Sequence, residues 1–157
     1  MVNKAIDSGD DPFAGSTRTG MRAFITGATG FIGRRLVDRW CADEKQHAVC
    51  LVRPNTTGAW TDAVRAVHGY LSDSAPSLAA SMNGCDIVFH LAGFISFNQA
   101  DRAKLIQTNS DGAARVLEAA KMARVNRVVI VSSACTVGLS TRPEHVLNED
   151  APANAAL

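Results

Sequence analysis

The sequence predicts an α/β fold in which a parallel sheet of about five strands is doubly wound, with helices on both faces. Three observations carry this expectation. Short, continuous apolar runs recur along the chain, the signature of strands buried on both faces rather than half-exposed ones. Segments with helical spacing of their apolar residues separate those runs. A cluster of three glycines stands where the first run gives way to the first helical segment.

Taken in order, residues 1–20 (MVNKAIDSGDDPFAGSTRTG) are polar and aperiodic, so they are expected to form a disordered extension, with Met21 opening the ordered part. Residues 22–26 (RAFIT) form the first strand, which stops at Gly27. Residues 31–41 follow as a helix, with Ile32, Leu36, Val37 and Trp40 at helical spacing. The second strand covers 48–53 (AVCLVR) and is ended by Pro54, which has no amide to donate. Residues 55–59 read as a loop, 60–67 are ambiguous, and a third strand is expected over 66–71. A short helix over 75–82 leads into a buried strand at 86–91 (DIVFHL). The longest helical stretch is 101–123, with Ala113, Val116, Leu117 and Ala120 on one face, and 127–132 (RVVIVS) makes the fifth strand. The segment from Leu139 onward is polar and contains proline.

Length and composition fit one globular domain, over residues 21–157: 157 residues with 46% apolar and 20% charged positions. A net charge of +1, with basic residues scattered, gives no case for a nucleic-acid partner or an acidic membrane surface. No apolar run approaches the roughly 20 residues that span a bilayer, and residues 1–20 hold no secretory signal. Cys41, Cys50, Cys85 and Cys135 are widely spaced without a CxxC pair, which predicts buried free thiols in a reducing cytoplasm and no metal site. His47, His68 and His145 share no metal-ligand spacing either. His90, at the end of an apolar strand, is expected to be a satisfied core or cofactor-adjacent group rather than a catalytic one.

The strongest local signal is TGATGFIG at 26–33, between the first strand and the first helix. Gly27 permits a tight turn, Gly30 lets the backbone approach a diphosphate without a Cβ in the way, and Gly33 allows helix and sheet to pack closely. Amides at the helix start, from about Gly30 through Phe31 to Ile32, then meet the phosphate charge, with Thr29 beside them. These features identify a dinucleotide site of the Rossmann type. An acidic residue at the end of the second strand would hold the adenosine ribose of NAD; here Arg53 stands there, and 46–58 contain no Asp or Glu. A guanidinium at that place pairs with a 2′-phosphate, so NADP is favoured, with NAD as the alternative.

Four segments together resemble the extended short-chain dehydrogenase/reductase family, the NAD(P)-dependent epimerase/dehydratase group: TGATGFIG at 26–33, CDIVFHLAG at 85–93, NSDGAARVLEAA at 109–120 and RVVIVSSACTVG at 127–138. HLAGFISF and SSACTVG look most like its dihydroflavonol-reductase-like or hydroxysteroid-dehydrogenase-like branch. The resemblance covers 21–157, the front half of a family member. It implies that Leu91, Ala92 and Gly93 line the cofactor beyond the fourth strand. It matches Asn109 to a helix asparagine that supports the active-site geometry. It matches Ser133 to a catalytic serine that hydrogen-bonds the substrate oxygen and polarises the carbonyl. It also implies a small-molecule substrate and allows a homodimer.

Two departures qualify the resemblance. Where the family commonly carries Gly-Asp-Leu at the third strand, this chain has Gly69, Tyr70 and Leu71, so a tyrosine replaces an acid that approaches the adenine. Packing within the sheet is the preferred expectation for Tyr70, with stacking on adenine as the alternative; Asp73 is out of register for a direct substitute. The larger departure concerns catalysis. In the family a Tyr-x-x-x-Lys pair moves the proton, the lysine lowering the tyrosine's pKa. The single tyrosine here is Tyr70, and Ser74 stands where the lysine would be. The resemblance puts the pair past Leu157. The expectation is therefore the cofactor-holding part of an oxidoreductase or epimerase, inactive by itself, its sheet incomplete and its substrate lobe absent. A non-catalytic NADP-binding sensor or scaffold and a non-functional gene fragment stand as the alternatives.

Overall fold

A computed structural model describes residues 20–56 and 60–133, with residues 136, 138, 144, 146–148 and 150 beyond them. Residues 1–19, Cys135 and His145 lie outside the described residues, and so do the expectations placed on them. The chain runs β1 (Arg22–Thr26), α1 (Phe31–Trp40), β2 (His47–Val52), β3 (Val64–His68), α2 (Ala75–Ser81), β4 (Ile87–His90), α3 (Arg102–Leu105), a π-helical stretch (Ile106–Asp111), α4 (Gly112–Met122) and β5 (Arg127–Ile130). The strands form one parallel sheet in the order β3-β2-β1-β4-β5. The order reverses between β1 and β4, where a doubly wound sheet leaves its ligand crevice.

Side chains alternate across each strand, so neighbouring apolar residues feed opposite cores. Phe24, Val49 and Val88 point to a core completed by Leu78 and Met82 of the α2 region and by Val116, Ala119 and Ala120 of α4. Ala23, Ile25, Cys50 and Ile87 point to the other, closed by Ala28 and by Val37 of α1. Trp40 anchors α1 onto that face: its ring meets Phe89 edge-on at 5.4 Å, and its indole N–H donates to the His47 carbonyl at 3.0 Å. Each large apolar side chain so buried stabilises the fold by roughly 1.5–3 kcal/mol.

Two elements and one residue differ from the sequence expectation. The third strand lies at 64–68 rather than 66–71. The Gly69 amide makes the last ladder bond, to the Val52 carbonyl at 2.9 Å; the next amide, of Tyr70, donates instead to the Asp73 carboxylate at 2.8 Å, which ends the pairing. The predicted helix over 101–123 is interrupted by the π-helical stretch. The buried face of its C-terminal part is Gly112, Val116, Ala119 and Ala120, while Leu117 is exposed. Tyr70 does not pack within the sheet: it is 48% exposed at the mouth of a crevice, because the turn held by Asp73 carries it off the strand.

The helix over 75–81 follows the expectation, with Ser74 accepting from the Ser77 amide and Pro76 in its first turn. Among the described residues, no helix is long and apolar enough to cross a membrane.

Candidate cofactor-binding site

At the carboxyl ends of β1, β2 and β4 lies a crevice of about 540 Å³. Its floor is the glycine turn, and the local sequence builds that turn by steric exclusion. Gly27 has φ +73°, a left-handed conformation that side chains resist, and a Cβ there would sit 2.6 Å from the Ala92 amide nitrogen. Gly33 is pressed against the turn itself: a Cβ would come to 2.0 Å from the Gly27 carbonyl oxygen. The close packing expected of Gly33 is therefore between helix and turn rather than helix and sheet. Gly30 is different. Its φ of −76° suits any residue, and a Cβ would meet only the Gly27 oxygen, at 3.2 Å. Since the protein interior gives Gly30 little reason to be glycine, the space it leaves on the crevice side is its most direct explanation.

The Gly30 amide does not face a ligand, as the sequence expectation had it; it closes the turn on the Gly27 carbonyl at 2.9 Å. The first intrahelical bond of α1 is Arg34 to the Gly30 carbonyl, and no side chain caps the helix. The amides of Phe31, Ile32 and Gly33 are thus the donors a helix start leaves over, at its positive end. The Phe31 and Ile32 side chains are 89% and 56% exposed and line no part of the crevice, so any part they take in binding is through the backbone. Gly33 is buried beneath the turn. Gly27, Thr29, Gly30 and Arg53, named from the motif and the strand end, line the crevice, and so do Leu91, Ala92 and Gly93, named from the resemblance.

Beneath the crevice runs a buried polar relay. The Ala92 amide donates to Thr26 Oγ1 at 3.2 Å, and Thr26 Oγ1 lies 2.7 Å from His90 Nδ1. The Thr26 hydroxyl can donate to the imidazole nitrogen or accept from it, according to the His90 tautomer, while it accepts from Ala92. Burial lowers the His90 pKa from its ordinary value, which favours the neutral ring. His90 is therefore the satisfied core group the sequence predicts, and it ties the end of β1 to the backbone entering the crevice wall.

The far wall comes from the helix, through Lys104, Gln107 and Thr108, which sequence reasoning missed. Their spacing of three and four residues puts them on one helical face. Asn109, one residue further, turns to the loop after β4: its amide donates to the Phe94 carbonyl and its oxygen accepts from the Phe94 amide, both at 2.8 Å. Lys104 Nζ sits 4.1 Å over the Phe94 ring. Asn109 thus fixes the loop that carries Gly93 and does not line the crevice. Ser133 is exposed beyond β5 and is not part of the crevice lining either; its carbonyl accepts from the Thr136 amide and hydroxyl.

Charge distinguishes this crevice from a wider hollow of about 900 Å³ between α1 and the loop before β3. That hollow is lined by Asp38, Glu44 and Asp62 against Arg34, a negative balance that repels a diphosphate. The crevice is lined by two cations, Arg53 and Lys104, and by no carboxylate. The glycine cradle, the leftover amides and the charge all fit a dinucleotide. Among the described residues no group of His, Cys, Asp and Glu could hold a metal ion. Burial pushes the Cys50 thiol up to about 12 and raises that of Cys41, so neither is a ready nucleophile.

Comparison with known proteins agrees with this geometry. The family model described as the NAD dependent epimerase/dehydratase family matches residues 23–156. The UDP-glucose 4-epimerase of Mycolicibacterium smegmatis is 34% identical over 146 residues, 87% of this chain and 46% of its own length. Sterol demethylase protein B of Methylococcus capsulatus is 32% identical over 130 residues, 82% of this chain and 39% of its own. A crystal structure of a short-chain dehydrogenase/reductase superfamily protein from Agrobacterium tumefaciens, with bound NAD, superposes with a TM-score of 0.68 at 32% identity, covering 84% of this chain and 38% of that one. The chain spans less than half the length of each of these three relatives.

Proposed function

Because the chain belongs to the NAD-dependent epimerase/dehydratase family, we propose that residues 21–157 are the NADP-holding domain of an oxidoreductase or epimerase that acts on a carbonyl or alcohol carbon of a small molecule. The observation that carries this is the glycine turn at the end of β1, which leads into the uncapped start of α1 and floors a crevice free of carboxylates. When bound, the nicotinamide supplies or accepts a hydride.

In this reading the amides of Phe31 and Ile32 bind the diphosphate. Gly27, Thr29 and Gly30 shape its cradle, with Gly33 beneath it. Leu91, Ala92 and Gly93 bound the ribose side, and Asn109 keeps that wall in place. Ser133 hydrogen-bonds the substrate oxygen and helps to polarise the carbonyl. The Tyr-x-x-x-Lys pair that moves the proton in the family is not among these 157 residues, so residues 1–157 alone bind cofactor without turnover. The two uncharged thiols, Cys41 and Cys50, suit a reducing cytoplasm. Exposed Leu117 on α4 suits a homodimer contact.

Preference for NADP rests on Arg53, which lines the crevice at the end of β2, where NAD sites place an acid. A charge-assisted pair with the 2′-phosphate is worth about 1.5–3 kcal/mol, so titration should show NADP binding at least tenfold more tightly than NAD, with Arg53→Asp reversing the order. Equal affinities would remove the preference, and failure of both nucleotides to bind would remove the function. A rate above background from residues 1–157 that depends on Ser133 would overturn the expected lack of turnover.

A further inference from the structure

The adenosine end of the crevice has an aromatic wall and no acid. Tyr70 is 48% exposed there, with Ser72 and Arg53 beside it. The nearest carboxylate along the chain, Asp73, is turned away from a ligand. Its Oδ2 accepts from the Tyr70 amide at 2.8 Å, and it fills the space where a Cβ on residue 69 would sit, 2.7 Å from that position. Gly69 therefore exists to seat Asp73, and Asp73 exists to present Tyr70. Besides Thr26 and Thr29 of the glycine turn, the uncharged polar side chains that line the crevice with Tyr70 are Ser72 and, from the helix, Gln107 and Thr108. Each can donate or accept a hydrogen bond by rotating a hydroxyl or an amide. A carboxylate, by contrast, would only accept, and would select a base carrying an amino group.

From this arrangement we infer that Tyr70 holds the purine of the nucleotide by stacking, and that the site therefore does not discriminate adenine from hypoxanthine. The inference rests on the dinucleotide reading above and deepens it. Stacking on an aromatic face is tolerant of base identity because every base offers a π-face. The invertible polar groups meet an amino group in adenine and a keto oxygen in hypoxanthine equally well. The cost of an unpaired polar group, which is what gives such sites their selectivity, arises with neither base.

The test is a calorimetric titration of the 157-residue chain with 5′-ADP and 5′-IDP, which share ribose and diphosphate and differ only at the purine. The expected result is dissociation constants within about threefold of each other. Tyr70→Ala should weaken both by at least about fivefold, while Tyr70→Phe leaves both unchanged and Tyr70→Trp tightens both. A thermal melt of each variant checks folding, and the exposed position of Tyr70 makes the Phe and Trp variants safe controls. A preference for ADP over IDP beyond about tenfold overturns the inference, as does an unchanged ADP affinity in Tyr70→Ala. The NADP-over-NAD comparison in the same chain is read separately: it tests Arg53 and stands or falls without the purine result. Binding of neither ADP nor NADP removes both.

Discussion

β1 and β5 have similar apolar sequences, RAFIT and RVVI, yet they meet opposite fates. Every residue of β1 is buried, between two paired neighbours and beneath helices on both faces. Among the described residues β5 pairs on one side only, and of its four residues three are exposed, with Val129 and Ile130 at 38% and 40%. Apolar character makes a strand; neighbours make it a core. The same contrast separates the two halves of the chemistry. The glycine turn at the end of β1 and its hydrogen bonds to Ala92 and His90 join β1 to β4 within the buried sheet. Ser133, beyond β5, stands exposed and apart from the crevice.

The greatest expected effect tests the β1 side. Gly33→Ala would place a methyl 2.0 Å from the Gly27 carbonyl, a backbone atom that cannot move without breaking the turn. The expected outcome is a loss of about 3–5 kcal/mol in a denaturant melt, together with loss of dinucleotide binding. Gly30→Ala makes the informative partner, since its Cβ meets only one atom at 3.2 Å. It should cost under about 1 kcal/mol of stability yet weaken nucleotide binding clearly, because its crowding falls on the ligand side. Equal losses of stability in the two variants would break the claim that Gly30 is kept for a ligand.

These glycines also mark what was legible in the sequence. The strand-to-helix junction, the sheet and the placing of Gly27, Thr29, Gly30 and Arg53 at its carboxyl end followed from local pattern, because a tight turn and a continuous apolar run have local causes, whereas Leu91, Ala92 and Gly93 were legible only by resemblance. Tyr70 did not, since its exposure depends on Asp73 capturing an amide three residues back, which no periodicity records. Lys104, Gln107 and Thr108 were missed because a helix packed across the sheet becomes part of the site only once the topology is known. The role of Asn109 was legible only by resemblance; its two bonds to Phe94 are long-range.

The next effect is smaller and concerns the relay that joins β1 to β4. Burial holds the folded His90 pKa below its ordinary 6.5, so the unfolded chain takes up that proton first. The contribution to stability is therefore complete above about 6.5 and lost as pH falls through that value toward the folded pKa. A series of thermal melts from pH 8 to pH 5 should show the melting temperature falling below about pH 6.5. His90→Gln keeps a hydrogen-bonding partner for Thr26 without a titrating ring, and should flatten that part of the curve. An identical slope in the variant would mean that other groups carry the pH dependence and that the relay does not.

The smallest effect is expected at β5, and its smallness is the point of the comparison. If Val129 and Ile130 are surface rather than core, Val129→Lys should change stability by no more than about 0.5 kcal/mol and leave nucleotide affinity unaltered. What it should change is self-association, since Val129, Ile130 and exposed Val131 together present an apolar edge that a charged side chain protects from pairing with another chain. Sedimentation velocity should therefore show the unsubstituted chain associating and the Val129→Lys chain doing so less. A loss of 2 kcal/mol or more in the variant would place Val129 in a packed interior and erase the difference between the two strands.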